Sequence, residues 1–261
     1  MPKLLLIKLL LFFNLISNHA LALAFSLPEN TQTPVIIYHS LSGNHTTDQQ
    51  TPLVTVFSDG RVIAGSPSGL EHNIESSITQ QHLQNLLDEI INKTHFFDID
   101  TKVISQKIIQ QENASNKILR LMDSNTDRIK LTLQQNTKTQ EFYGLSEAAL
   151  QFSSIAQLAD LAKIKSKLHK LRNWILVGSN SGLTKELSIA NQQLFQKHPN
   201  ITAVTEKDLN MATRQKDGKR IVHFQRRQLN KTTQRIEYSI NIYNYYDKTG
   251  FIKSVVNIQS N

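Results

Sequence analysis

Residues 53 to 64 constrain the fold more than any other stretch. Two β-prone runs, Leu53 to Phe57 (LVTVF) and Arg61 to Ala64 (RVIA), flank Asp59-Gly60. An Asp-Gly connection of this kind predicts an antiparallel hairpin with a type I′ turn, which needs φ > 0 at both central positions. Val35 to Tyr38 (VIIY) adds a third β-rich run just after Pro34, and the polar stretch Ser40 to Gln50 reads as the loop between them. Gly65 to Ser77 also reads as a loop.

Helical period takes over next. Leu83, Leu86, Leu87, Ile90 and Ile91 fall at i, i+3, i+4, i+7 and i+8, and Thr79 stands where an N-cap belongs. Phe96 and Phe97 are expected to fold back onto the core, and Val103 to Gln110 reads as a second short helix. Three strands are predicted at Lys117 to Met122, Arg128 to Leu133 and Thr139 to Tyr143, the second alternating Ile129, Leu131 and Leu133 with polar residues. Ser146 to Arg172 suits a long, broken helix with a lysine-rich C-terminal half. Trp174 to Val177 then reads as a strand and Gly178 to Gly182 as a linker. Beyond it, Leu183 to Lys197 predicts a helix with Leu187, Ala190, Asn191, Leu194 and Phe195 on one face, stopped by Pro199. A short helix from Thr205 to Thr213 and strands at Arg220 to Leu229, Gln234 to Tyr246 and Phe251 to Ile258 complete the pattern. The expectation is an α+β protein: an N-terminal antiparallel sheet and helix module over 25–177, a linker at 178–182, and a smaller helix-plus-antiparallel-meander module over 183–261.

The N-terminus reads as an export signal. Lys3 precedes an apolar run from Leu9 to Ile16, and Ala22-Leu23-Ala24 offers small residues at −3 and −1, so cleavage is expected after Ala24. The apolar stretch falls short of the roughly 20 residues of a spanning helix, and no later segment approaches that length. A periplasmic or secreted location follows as the expectation. The chain has no cysteine, which excludes disulfides, thiol chemistry and thiolate metal sites. Removing Lys3 and Lys8 with the leader lowers the formal net charge from +8 to +6. That charge is uneven: 25–172 carry 14 basic and 15 acidic residues, whereas 173–261 carry 13 and 6.

Enzyme signatures are missing. There is no G-x-S-x-G elbow, no HExxH and no phosphate-cradling loop, so the sequence assigns no catalytic residue, metal or cofactor. His39, His45, His72 and Glu71 lie near the first hairpin, but scattered histidines are the simpler account. Asp59-Gly60 and Asp217-Gly218 are explained as turns, and Asp98 with Asp100 as a solvated loop. The one constellation with binding chemistry is basic and aromatic. Arg220, Arg226, Arg227 and Arg235, together with Tyr243 and Tyr245, fall on or between two adjacent strands, where guanidinium groups pair with anions and phenol rings stack.

The chain resembles a family of uncharacterised exported bacterial proteins. The residues carrying the resemblance are Pro52 to Val62 (PLVTVFSDGRV), Leu83 to Asp100 (LQNLLDEIINKTHFFDID), the helix to Arg172, and Asp217-Gly218 with Val222 to Arg226 (VHFQR). The resemblance brings no activity and no site residue with it. The helix-then-strands C-terminal portion is also similar in outline to cystatin-like modules, although the cystatin Q-x-V-x-G loop is absent.

The functional expectation is an exported, non-catalytic binding protein that contacts an anionic envelope glycan or an acidic protein through its basic C-terminal sheet. Nucleic acid is a poor partner outside the cytoplasm. The alternative is a periplasmic hydrolase whose site exists only in the fold, joining His39 or His72 to an acid and a nucleophile.

Overall fold

The computed structural model describes residues 25–42, 51–65, 73–115, 118–119, 121, 123–215, 219–229 and 236–260. The expected leader, His45, Glu71, His72, Asp217-Gly218 and Arg235 lie outside the described residues. The architecture is α+β, with two antiparallel sheets and five α-helices among the described residues. No helix among them is long and apolar enough to cross a membrane.

The first sheet has the order β4-β3-β2-β1-β5-β6, built from β1 (Pro34–Ser42), β2 (Val54–Phe57), β3 (Arg61–Ala64), β4 (Ile74–Ser77), β5 (Asn125–Thr132) and β6 (Thr137–Tyr143). Register puts Tyr38 opposite Val54 on one side and Ile129 on the other, and Ser40 opposite Asp127. Ile36, Tyr38, Val54, Val56, Val62, Ile129 and Leu131 therefore share one buried face. The hairpin is present, but its turn is not the expected type I′. Gly60 alone has φ > 0, at +88°, and its N–H donates to Phe57 O at 3.1 Å. Asp59 instead accepts the Arg61 N–H at 2.9 Å, an Asx arrangement that spares it a left-handed backbone. Residues 74–77, expected as loop, form the edge strand β4 because Ser58-Asp59-Gly60 turns the chain close enough for Ile78 N–H to reach Gly60 O at 2.9 Å.

Helix α1 (Gln80–Asp88) starts as the sequence indicates: Thr79 Oγ1 accepts the His82 N–H at 3.1 Å, and Leu83, Leu86 and Leu87 are buried. A π turn at Glu89–Lys93 follows, buries Ile90 and leads to fully buried Phe96. Helix α2 (Thr101–Ser115) is longer than expected, and Asp100 caps it by accepting Lys102 N–H at 2.8 Å. No strand forms at the described residues of 117–122; β5 begins at Asn125 instead.

Helices α3 (Leu145–Gln151) and α4 (Ala156–Val177) are the expected broken helix. The expected strand at Trp174 to Val177 is in fact the last turn of α4. Leu161, Ile164, Leu168, Leu171 and Ile175 repeat at steps of three and four residues, so burial carries the helix through a β-prone tetrapeptide. Nor is Gly178 to Gly182 an extended linker. Gly178, at φ +97°, ends α4, and α5 (Ser179–Lys197) begins at the next residue.

The second sheet is a four-stranded meander, β10-β9-β8-β7, one strand more than expected. Its strands are β7 (Leu209–Arg214), β8 (Arg220–Leu229), β9 (Ile236–Asp247) and β10 (Gly250–Ser260). Of the short helix expected from Thr205 to Thr213, only Glu206–Asp208 is helical, under a Thr205/Asp208 capping box; Leu209–Arg214 pairs with β8. Helix α5 lies on β9 and β10, burying Leu183, Glu186, Ala190 and Leu194. Phe195, expected on that face, is 43% exposed because the buried stripe runs through Glu186 instead.

Helix α4 packs against both sheets. Arg172 Nε donates to Gly65 O beside the first sheet at 2.8 Å, while Asn173 Nδ2 donates to Asn210 O of β7 at 2.8 Å. Asn173 Oδ1 also accepts Ala212 N–H at 3.3 Å. Its side-chain amide thus stands where a neighbouring strand would be, satisfying the free edge of β7.

Candidate functional site between the two sheets

The inward face of β1 and β5 turns from apolar to polar toward one end, where Tyr38 and Asp127 meet beside buried Ser40. Asp127 is in phase with Ile129 and Leu131, so the pleat carries its carboxylate into the interior, 2% exposed. Tyr38 Oη donates to Asp127 Oδ1 at 2.7 Å, and Lys165 Nζ donates to Asp127 Oδ2 at 2.8 Å. One turn further along α4, His169 Nε2 lies 2.9 Å from Tyr38 Oη. Because the phenol proton goes to Asp127, His169 donates through Nε2–H, which fixes its neutral tautomer and leaves Nδ1 as an acceptor. Burial, reinforced by the positive charges of Lys165 and Arg172, lowers the imidazole to about 4. Burial, with Asp127 beside it, raises the Tyr38 phenol well above its ordinary range. At neutral pH the group is an ion pair bracketed by an uncharged phenol and an uncharged imidazole.

This network underlies a cavity of about 590 Å³ between the sheets. Helix α4 presents Lys165, Ser166, His169, Lys170 and Asn173 to it in two adjacent i, i+4 rows. Ser40 and Asn125 enter from the first sheet, joined by an Asn125 Nδ2 to Ser40 Oγ bond of 3.1 Å. Ser146 and Glu147 enter from α3, and Leu209 and Asn210 from β7. The lining is rich in hydroxyls and amides and its charges nearly balance, since Asp127 pairs with Lys165 and the lining carries Glu147 as well as Lys170.

The cavity also holds a serine–lysine contact, Lys165 Nζ to Ser146 Oγ at 2.7 Å. An ammonium that donates at once to a carboxylate and to a hydroxyl polarises the serine oxygen but takes no proton from it. His39 is not part of this site. It lies in β1 one residue from Tyr38, on the opposite face, opposite Arg128. The histidine that does reach the cavity is His169.

Five of the six residues read from the sequence as a binding constellation are described, Arg235 being outside the described residues, and the pleat of β8 and β9 divides those five. Arg220 and Arg226 share the helix-facing side with Val222 and Phe224, and each is consumed internally. Arg220 pairs with Glu186, which is fully buried, and lies 4.1 Å over the Tyr246 ring. Glu186 also accepts from Tyr246 Oη at 2.7 Å and Asn244 Nδ2 at 2.9 Å. Arg226 donates to Asp208 Oδ2 at 2.6 Å and to the Thr202 and Ala203 carbonyls. Although burial opposes it, these bonds and those from Thr205 hold the Asp208 carboxyl below its ordinary value. Arg227, Tyr243 and Tyr245 face the other way. There Tyr243 stacks on His223, with centroids 4.1 Å apart and planes 3° from parallel. Burial lowers the His223 imidazole, against a raising bond to Asn241.

The sequence reading missed Tyr38, Asp127, Lys165 and His169. Two signals for them exist: a carboxylate in phase with the apolar residues of β5, and the polar i, i+4 series Lys165, His169 and Asn173 beside the apolar stripe of α4. No protein-family model, curated protein or solved structure matches the chain.

Proposed function

We propose that the mature chain is an exported, non-catalytic binding protein whose ligand, a hydroxyl-rich polar molecule, sits in the cavity between the two sheets. The observation that carries this reading is the cavity's lining: about 590 Å³ walled by serines, asparagines, a neutral histidine and lysines, over a buried network that fixes their positions. A charge-balanced wall favours hydrogen bonding to hydroxyls over attraction of a polyanion. An anionic glycan or an acidic protein surface falls instead to the outer face of the second sheet, where Arg227, Tyr243, Tyr245 and Lys253 lie. Binding there is expected to weaken as salt rises.

The test is calorimetric titration of the purified protein with neutral and uronic-acid oligosaccharides, alongside Ser166→Phe. Ser166 lines the cavity but takes no part in the Tyr38 network, so the added ring fills the space and leaves the support intact. Binding that is insensitive to salt and lost in Ser166→Phe is the expected result. Absence of heat from every glycan, or undiminished binding by Ser166→Phe, would overturn the reading.

The hydrolase alternative draws on the Lys165–Ser146 contact. It requires Ser146→Ala to abolish hydrolysis of chromogenic esters. Activity that is absent in the wild type, or that survives the substitution, removes it.

A further inference from the structure

We infer that the cavity continues past Lys170 into an aromatic subsite on Trp174, and that the ligand is an oligosaccharide with one ring stacked on the indole; the inference rests on the binding reading above. Lys170 lines the main cavity and two more, of about 400 and 220 Å³, and Trp174 lines both of these. All three spaces adjoin at Lys170, and the main cavity and the smallest one also share Leu209. The sequence of α4 explains the alignment. Ser166, Lys170 and Trp174 are an i, i+4, i+8 row, and the nine residue steps from Lys165 to Trp174 span about 13 Å along the helix axis. That length suits a short oligosaccharide and exceeds a single sugar.

The indole is held in place. Its Nε1–H donates to Asn180 Oδ1 at 3.0 Å, and the His82 ring meets it edge-to-face at 5.9 Å. With its one polar atom engaged, the ring offers apolar surface to the groove. Around it lie charged groups of both signs: Lys167 is paired with Glu89, and Lys170, Lys207 and Glu206 line the same spaces. A pyranose has the same asymmetry, an apolar CH face ringed by hydroxyls. Its CH face gains dispersion contacts and loses water against an indole, while its rim bonds to charged and amide groups.

Trp174 is the only tryptophan in the chain, so the protein's indole emission reports this subsite alone. The experiment titrates the protein with cello-, chito- and galacturonate oligomers of two to six rings, following heat and emission together, and repeats it with Trp174→Ala and Trp174→Phe. The expected result is a ligand whose hexamer binds more tightly than its dimer and shifts the emission. Trp174→Ala should weaken it about tenfold or more, the loss of one ring stack, whereas Trp174→Phe retains most of the affinity. Heat with unmoved emission and full affinity in Trp174→Ala overturns the subsite and leaves the binding reading standing. No heat from any oligomer overturns both. Circular dichroism of the variants separates a lost subsite from a lost fold, and the wild-type emission stands without any variant.

Discussion

Acid should loosen this fold through His169. Its imidazole is lowered from 6.5 to about 4, first by burial and then by the charges of Lys165 and Arg172. The unfolded chain therefore takes up a proton near pH 6.5 that the folded chain refuses until about pH 4. Above pH 6.5 neither state holds that proton and nothing is lost; as pH falls through the window, stability falls with it. At about 1.36 kcal/mol per pH unit, the loss relative to pH 7.5 is roughly 2 kcal/mol at pH 5 and roughly 3 kcal/mol at pH 4. The variant that isolates it is His169→Gln, whose amide keeps a donor for Tyr38 Oη and does not titrate in this range. Asp208, Asp247 and His223 also titrate differently in the folded chain, but they are common to both proteins and cancel in the difference. Urea unfolding at pH 7.5, 6, 5 and 4 gives that difference directly. The variant should gain on the wild type by roughly 3 kcal/mol between the extremes. A difference that stays flat to within about 0.5 kcal/mol would refute the burial and tautomer assigned to His169.

Three further outcomes follow from buried groups. Glu186→Ala strands Arg220 and Tyr246 Oη, leaves Asn244 Nδ2 with only the residue-186 carbonyl, and should cost about 3–5 kcal/mol in urea unfolding. Adding Arg220→Ala should cost less than its single effect, because the two share one ion pair. Asn173→Leu leaves Asn210 O and Ala212 N–H of β7 without their partner, so a loss of about 1–3 kcal/mol per group is expected, with faster hydrogen exchange at the Ala212 amide. Gly60→Ala forces a side chain onto a backbone at φ +88°, with its Cβ 2.4 Å from Ile78 O, and should lower the melting temperature by an amount equivalent to roughly 1–3 kcal/mol.

What the sequence made legible was local. The Thr79 cap, the Asp59-Gly60 reversal and the alternation of Ile129 and Leu131 each depend on neighbours within a few residues, and each appears in the fold. Trp174 to Val177 failed that test because a β-prone tetrapeptide is overruled when its burial continues a helical stripe already ten residues old. The cavity was illegible for a different reason. Tyr38, Asp127 and His169 come from β1, β5 and α4, and only the β1–β5 register and the position of α4 make them neighbours. The same consideration divides the basic-aromatic constellation. Its residues fall on or between two adjacent strands, but a strand sends successive side chains to opposite faces, so parity decides which of them meet. With Arg220 opposite Tyr246 and Arg226 opposite Ile240, both arginines take the parity of the even-numbered β9 residues, and Tyr243 and Tyr245 take the other. A slip of one residue would reverse that assignment. It would also carry Phe224 and Val222 out to solvent and strand Glu186 without its cation. The apolar residues of β8 and the acid on α5 therefore set the register, and the register turns Arg220 toward Glu186 and Arg226 toward Asp208.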